Sequence, residues 1–254
     1  MMNLDKAAVA MNRLSESQRD RFWPAVFLEG CNLRCQYCLN TSIVDRTCSD
    51  GCQCYISISS ILEQLDLWGE DGVIISGGEP LLPRPDSNII DFIKVLSAGG
   101  RKIGIATNGT YPKELKFLLV PHQLISFISL DCKFSPLVRG EDIVKKTTPL
   151  CGYVGMEKDI LKSIATVNEW HHNDVNAQSE VKLTLFPPVV QESDVTDIAQ
   201  LVHPNSKLIL QQYRQNIMFN GKENEVEPYS ADEIERLKDL AVKLCKAKVE
   251  VRWP

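Results

Sequence analysis

The chain has 254 residues, 44% hydrophobic and 24% charged, and its 28 Lys and Arg against 33 Asp and Glu leave a net charge of −5. These values describe a globular protein with a sizeable core and no broad basic face for nucleic acid, and no apolar run reaches the ~20 residues a membrane helix needs. The N-terminal MMNLDKAAVAMNRLSESQRDRF has neither the apolar stretch of a signal peptide nor a transit-peptide composition, so a cytoplasmic location is expected.

In chain order, short β-rich runs alternate with segments of helical periodicity. The strands expected are PAVFLEG (24–30), GVIIS (72–76), KIGIAT (102–107), ISFISLD (125–131), EVKLTLF (180–186), KLILQQY (207–213) and a last run KVEVRW (248–253). Most are near-continuous apolar runs, as parallel strands covered on both faces require. Helices are expected at 60–68, with a capping box from Ser60 to Glu63, and at 87–98, ending at Gly99-Gly100. Further helices are expected after Pro112, at 157–170, at 192–202 and at 231–246, the last with a capping box in Ser230 and Glu233. Residues 132–156 are read as a loop.

Six β-then-α units in alternation imply a parallel sheet with right-handed crossovers. A closed barrel of this kind needs eight units, so the expected fold is α/β, a partial (β/α)6 open barrel. With no repeat or linker, residues 1–254 are read as one domain: a core over about 24–215, a Cys-rich loop at 39–56, and a C-terminal helix and strand at 231–253.

Nine cysteines are present, and six of them fall between positions 31 and 54. An odd number in a reducing compartment does not read as a disulfide framework. Cys31, Cys35 and Cys38 follow the first strand in the spacing C-x-x-x-C-x-x-C. Three thiolates on one short loop suit an iron–sulfur cube held at three corners, with the fourth iron open to another ligand. A zinc site completed by a distant Cys is the alternative.

This spacing, with the aromatic Tyr37 before the last cysteine, resembles the signature of the radical S-adenosylmethionine (SAM) superfamily. Ser76-Gly77-Gly78-Glu79-Pro80 after the second strand resembles its GGEP motif, where two glycines admit a ligand to the backbone and a carboxylate meets the amino group of SAM. Thr107-Asn108-Gly109 and Ser129-Leu130-Asp131-Cys132-Lys133 resemble stretches of glycyl-radical-enzyme activases. Gln211-Gln212-Tyr213-Arg214 is similar to a stretch of the activating component of anaerobic ribonucleotide reductase. The resemblance implies a [4Fe–4S] cluster on Cys31, Cys35 and Cys38, which makes them the catalytic residues. It further implies SAM against Tyr37, Gly77, Gly78, Glu79, Thr107, Asn108, Asp131, Lys133 and Arg214. Asp131 and Thr107 also match the activases' monovalent-cation site, but Ala106 stands where that pattern has an Asp.

Cys48, Cys52 and Cys54 form a second group, on a loop too short for a ferredoxin-like insertion. They are read as ligands of zinc or of a second iron–sulfur cluster, with Cys132 or Cys151 as a fourth ligand, or else as plain thiols. His171 and His172 are read as cations favoured by a helix C-terminus, and His122 and His203 as loop residues without a role. The resemblance implies reductive cleavage of SAM to a 5′-deoxyadenosyl radical for hydrogen abstraction. An electron donor of flavodoxin or ferredoxin type and a glycyl radical enzyme as substrate would be its partners. Modification of a small molecule, a nucleotide (deazaguanine synthase-like), RNA or a peptide is the second reading, and a non-catalytic iron–sulfur or zinc scaffold the third.

Overall fold

A computed structural model of the chain describes residues 10–18, 21–44, 56–69, 71–83, 89–120, 124–150, 152–153, 155–215 and 225–253. Cys48, Cys52, Cys54, Cys151 and His122 lie outside the described residues. Strands β1 (Ala10–Gln18), β2 (Arg21–Leu28), β3 (Gly72–Gly77), β4 (Lys102–Thr107), β5 (Phe127–Cys132), β6 (Gln178–Leu185), β7 (Lys207–Gln212) and β8 (Lys248–Arg252) form one sheet, ordered as they occur in the chain. Helices follow β2 through β7 in the α/β alternation expected of a partial, open barrel. Among the described residues no helix is long and apolar enough to cross a membrane.

The strand at 10–18 is an addition to the expected elements. It pairs antiparallel with β2, and its register shifts between Asn12 and Glu16, opposite the stretch from Ala25 to Trp23. Pro24 lies in that stretch and has no N–H for a ladder bond, which is the physical reason for a bulge there. Beyond it, Ala25 to Leu28 pair in parallel with Ile74 to Gly77.

The chain packs as two compact units, Met1–Asn32 with Asn40–Thr107 and Phe117–Phe127, and Leu33–Leu39 with Asn108–Lys116 and Ile128–Pro254. In the first, Trp23, Ala25, Phe27, Ile43, Ile74 and Phe127 form a buried apolar cluster against which Ala106 packs. The Trp23 ring occupies the space a side chain on Gly72 would need, since a Cβ there would stand 2.1 Å from it. Helix α1 (Thr41–Val44) contributes Ile43 and Val44 to the buried set. Helix α2 (Ile58–Trp68) begins two residues before the expected start: Ser57 is its cap, its hydroxyl accepting from Ser60 N at 3.1 Å. Helix α3 covers Ile89–Ser97.

In the second unit, β6 pairs in parallel with β7 and β7 with β8. Helix α6 (Met156–Asn173) buries Ile160, Ile164, Val167 and Trp170, spaced for one helical face. Helices α7 (Glu192–Leu201) and α8 (Ala231–Leu244) both open on capping boxes, the second from Ser230 and Glu233 as expected. Helix α4 (Pro112–Leu119) starts on its proline, where the missing N–H costs nothing. The stretch 132–156 is not all loop. It holds α5 (Glu141–Thr147) and a 3-10 turn (Thr148–Leu150).

Candidate active site

The sequence-predicted site residues stand at or just beyond the C-terminal ends of strands, where a parallel α/β sheet builds its sites. In the first unit these are Cys31, the Gly77-Gly78-Glu79 turn and Thr107. The turn continues the β2–β3 pairing past the strand ends: Gly78 N donates to Leu28 O at 2.9 Å and Glu79 N to Gly30 O at 2.9 Å. Asn40 Nδ2 donates to Gly77 O at 3.3 Å. Gly77 has φ +127°, and a Cβ on it would meet Leu28 O at 2.1 Å. A Cβ on Gly78 would stand 2.2 Å from Gly30 O and 3.0 Å from Cys31 Cβ. Both glycines are therefore required by backbone packing, and that packing sets the turn against Cys31.

Glu79 is fully buried. Its Oε1 accepts from Leu81 N at 2.9 Å and from the Thr107 hydroxyl at 2.7 Å. A buried carboxylate demands such donors, and Thr107 supplies one from the end of the neighbouring strand. That gives Thr107 a definite task beside Glu79. Ala106, at the position where the cation-site pattern has an Asp, packs against the apolar cluster instead.

In the second unit the site residues are Cys35, Tyr37, Cys38, Asn108, Asp131, Lys133 and Arg214. Arg34 N donates to Leu150 O at 2.9 Å and Gln36 N to Pro149 O at 3.0 Å, so the backbone flanking Cys35 is tied to the 3-10 turn. Tyr37 is buried among aromatic rings, 4.9 Å from Phe186 and 6.4 Å from Tyr213 between centroids. Lys133 pairs with Asp131 and carries its ammonium 5.6 Å from the Tyr37 ring centroid. Burial opposes both charges, yet the pairing prevails: Asp131 titrates below and Lys133 well above the ordinary value. Burial pushes the Tyr37 phenol up, so it stays a neutral donor.

Asn108 serves its own turn: Oδ1 accepts from Thr110 N at 3.0 Å and Thr110 Oγ1 at 2.6 Å. Gly109, at φ +74°, completes that turn, and its carbonyl accepts from Ser163 Oγ at 2.7 Å. Arg214 lies exposed just past β7. Cys132 is fully buried, its Sγ 3.2 Å from Phe134 O, and burial drives its thiol far above the ordinary value.

Sequence reasoning missed two neighbours of Tyr37. Phe186 and Tyr213 stand 5.0 Å apart at the ends of β6 and β7, and Tyr213 is 1% exposed. Both are the last residues of expected strands, and Tyr213 also stands in the Gln211-Gln212-Tyr213-Arg214 stretch, which was the available signal.

The fold, with this order of motifs at its strand ends, defines a class: residues 25–142 match the model of the radical SAM superfamily, and that segment is a radical SAM domain. Among curated proteins, the chain is 27% identical over 222 residues to a Methanocaldococcus jannaschii protein bearing the provisional name glycyl-radical enzyme activating enzyme, covering 86% of this chain and 84% of that one. It is also 29% identical over 182 residues to a GTP 3′,8-cyclase of Alkaliphilus oremlandii, covering 68% of this chain and 55% of that one. Among solved structures, Streptococcus suis SuiB bound to the precursor peptide SuiA superposes with a TM-score of 0.61 at 14% identity, over 89% of this chain and 48% of SuiB. That likeness is one of fold, and the chain spans about half of SuiB's length.

Proteins of this superfamily work with a [4Fe–4S] cluster and SAM, and features of each unit suit those groups. Among the described residues no three His, Cys, Asp or Glu side chains are gathered as they would be around a single metal ion. A cube offers its irons at separate corners, so its thiolates stand farther apart than the ligands of one ion. Among the described residues five buried polar atoms of the second unit have no hydrogen-bond partner, and three of them, Tyr37 Oη, Tyr213 Oη and Asp131 Oδ1, belong to expected site residues or their ring neighbours. Orphaned polar atoms in one neighbourhood suit a polar ligand. The Gly77-Gly78 backbone, with no room for side chains, suits the close approach of one.

Proposed function

We propose that this chain is a radical SAM enzyme of the activase type, which takes a hydrogen atom from a backbone glycine of a partner enzyme. The observation that carries the reading is the similarity to the Methanocaldococcus jannaschii protein, which extends over most of both chains. Bound together, a reduced [4Fe–4S] cluster and SAM supply reductive cleavage of the sulfonium and a 5′-deoxyadenosyl radical able to abstract hydrogen. Cys31, Cys35 and Cys38 hold the cluster through their thiolates. Glu79, oriented by Thr107 Oγ1 and Leu81 N, accepts the ammonium of SAM. The Gly77-Gly78 backbone lets the amino-acid end of SAM approach. Lys133 and Asp131, already paired, meet its polar face. The rings of Tyr37, Phe186 and Tyr213 exclude water and stray hydrogen donors from the site. An electron donor of flavodoxin or ferredoxin type supplies the reducing electron.

The test is anaerobic reconstitution with iron and sulfide, followed by reduction in the presence of SAM. Iron–sulfur absorbance and 5′-deoxyadenosine are expected, and both should disappear in Cys31→Ala, Cys35→Ala and Cys38→Ala. Mixing the reduced protein with a glycyl radical enzyme from the same genome should then give the doublet spectrum of a glycyl radical. SAM cleavage without that doublet, but with turnover of a purine nucleotide, would replace this reading by a second one, nucleotide modification. The similarity to the GTP 3′,8-cyclase favours the second reading over two thirds of this chain.

A further inference from the structure

Asp194, in the first turn of α7, is fully buried, and three donors from three segments converge on it. Oδ1 accepts from Ser135 N at 2.7 Å, and Oδ2 from Gln191 N at 2.7 Å and from Lys146 Nζ at 2.6 Å. Lys146 Nζ also donates to Val189 O at 2.7 Å. The capping box of α7 accounts for the bond from Gln191 N, and the bonds from Ser135 and Lys146 are left without a task.

Lys146 belongs to α5, a helix with no apolar stripe to hold it down. Of its seven residues only Thr147 is buried, and Val144 is 60% exposed. A helix that short, without a packed face, takes its position from tertiary ties. The Lys146–Asp194 pair is a strong tie of this kind, because both groups are charged and the carboxylate is shielded from water. From α5 onward the connection is tied by hydrogen bonds. Thr147 Oγ1 donates to Ile143 O at 2.9 Å, Thr148 Oγ1 to Val144 O at 2.7 Å, and the next two carbonyls, of Pro149 and Leu150, accept from Gln36 N and Arg34 N.

We propose that Lys146 and Asp194 are positioning residues for the cofactor loop. Their ion pair fixes α5, α5 fixes the carbonyls of Pro149 and Leu150, and those carbonyls hold Leu33–Leu39, with Cys35 and Cys38, in the arrangement that receives the cluster. The inference rests on the reading of Cys35 and Cys38 as cluster ligands. Its physical core is entropic: a loop held before the cluster arrives loses less freedom on binding than one ordered by it.

The test is Lys146→Met in the full chain, read by amide hydrogen exchange at Arg34 and Gln36 and by the rate at which a ferrous chelator strips iron from the reconstituted protein. Exchange at both amides should rise about tenfold or more while the strands β6 and β7 keep their protection, iron loss should accelerate, and Lys146→Arg should restore both. Unchanged exchange at Arg34 and Gln36 in a folded Lys146→Met protein would overturn the proposal. Should that variant fail to fold, Lys146→Gln, which retains a donor, is read by the same measurements and the same criteria. A wild type that binds no iron would refute the cluster reading alone, because the exchange measurement needs no cluster.

Discussion

Glu79 shows how far one residue's chemistry depends on its neighbour. Its carboxylate is fully buried, and Thr107 Oγ1 at 2.7 Å is one of the donors that make an anion tolerable there. Replacing that hydroxyl by a methyl group, Thr107→Val, keeps the shape and removes the donor. The expected cost is about 1.5–3 kcal/mol of stability, as for hydrogen bonds to charged groups. SAM affinity should fall as well if Glu79 receives the ammonium. Denaturant unfolding and calorimetric titration measure the two effects separately. Loss of stability with unchanged affinity would leave Thr107 as packing alone. The motif was legible in the sequence, and so was the strand before Thr107, but the bond between them joins residues 28 positions apart and needed the parallel register to appear.

Between elements, the end of α6 and the starts of β6 and β7 meet at a histidine the sequence misplaced. His171 was expected to be a cation at a helix C-terminus. It is instead 5% exposed, its Nε2 2.7 Å from Ser179 Oγ and 3.0 Å from Ser206 Oγ, with the His203 ring stacked on it at 4.8 Å. Burial, with His203 and His172 beside it, brings its pKa down to about 4, although Asp174 pulls the other way. The dipole argument holds for an exposed side chain, whereas here desolvation wins. A histidine whose folded pKa is depressed binds fewer protons than the unfolded chain between pH 4 and 6.5. Stability is therefore complete above about pH 6.5 and is lost as the pH falls toward 4. The loss attributable to this ring should be about 3 kcal/mol, and His171→Asn should flatten the pH dependence of the unfolding free energy across that window. An unchanged slope would mean that other groups carry it.

Other misreadings at this scale have similarly local causes. Helix α5 has only seven residues and no buried apolar face, so no hydrophobic period announced it. Ser57, Ser59 and Ser60 each suit a cap, and the Ser57 hydroxyl bonds those of Ser59 and Ser60 at 2.8 and 2.9 Å; the sequence pattern pointed to Ser60 because Glu63 follows it at capping-box spacing, whereas Ser57 is the cap. The strand β1, AMNRLSESQ, is largely polar and pairs with β2, and it lacks the apolar run by which the parallel strands were recognised.

For the molecule as a whole, strand order, the alternation of helices and the placing of motifs at strand ends followed from sequence, because apolar runs and their spacing determine all three. The partners of Asp194 and the aromatic trio did not follow, since they depend on which loops meet. The metal content of the chain is a whole-molecule quantity. Cys48, Cys52 and Cys54 lie outside the described residues, and three soft ligands separated by Gly51 in seven positions are expected to carry zinc or further iron and sulfide. Elemental analysis of the full protein against a variant with all three changed to Ala should show that difference. Equal zinc, iron and sulfide per chain in both would mean that this loop binds no metal. Loss of about four iron atoms would identify a second cubane cluster.

The second unit keeps two kinds of side chain at opposite ends of the same strands. Phe186 and Tyr213 follow the last residues of β6 and β7, while Ser179 and Ser206 sit at their beginnings with His171. Drift at one end can therefore proceed without disturbing the other. In a lineage that changes its substrate, new specificities would be written after the strands, while the clasp before them is inherited as ballast.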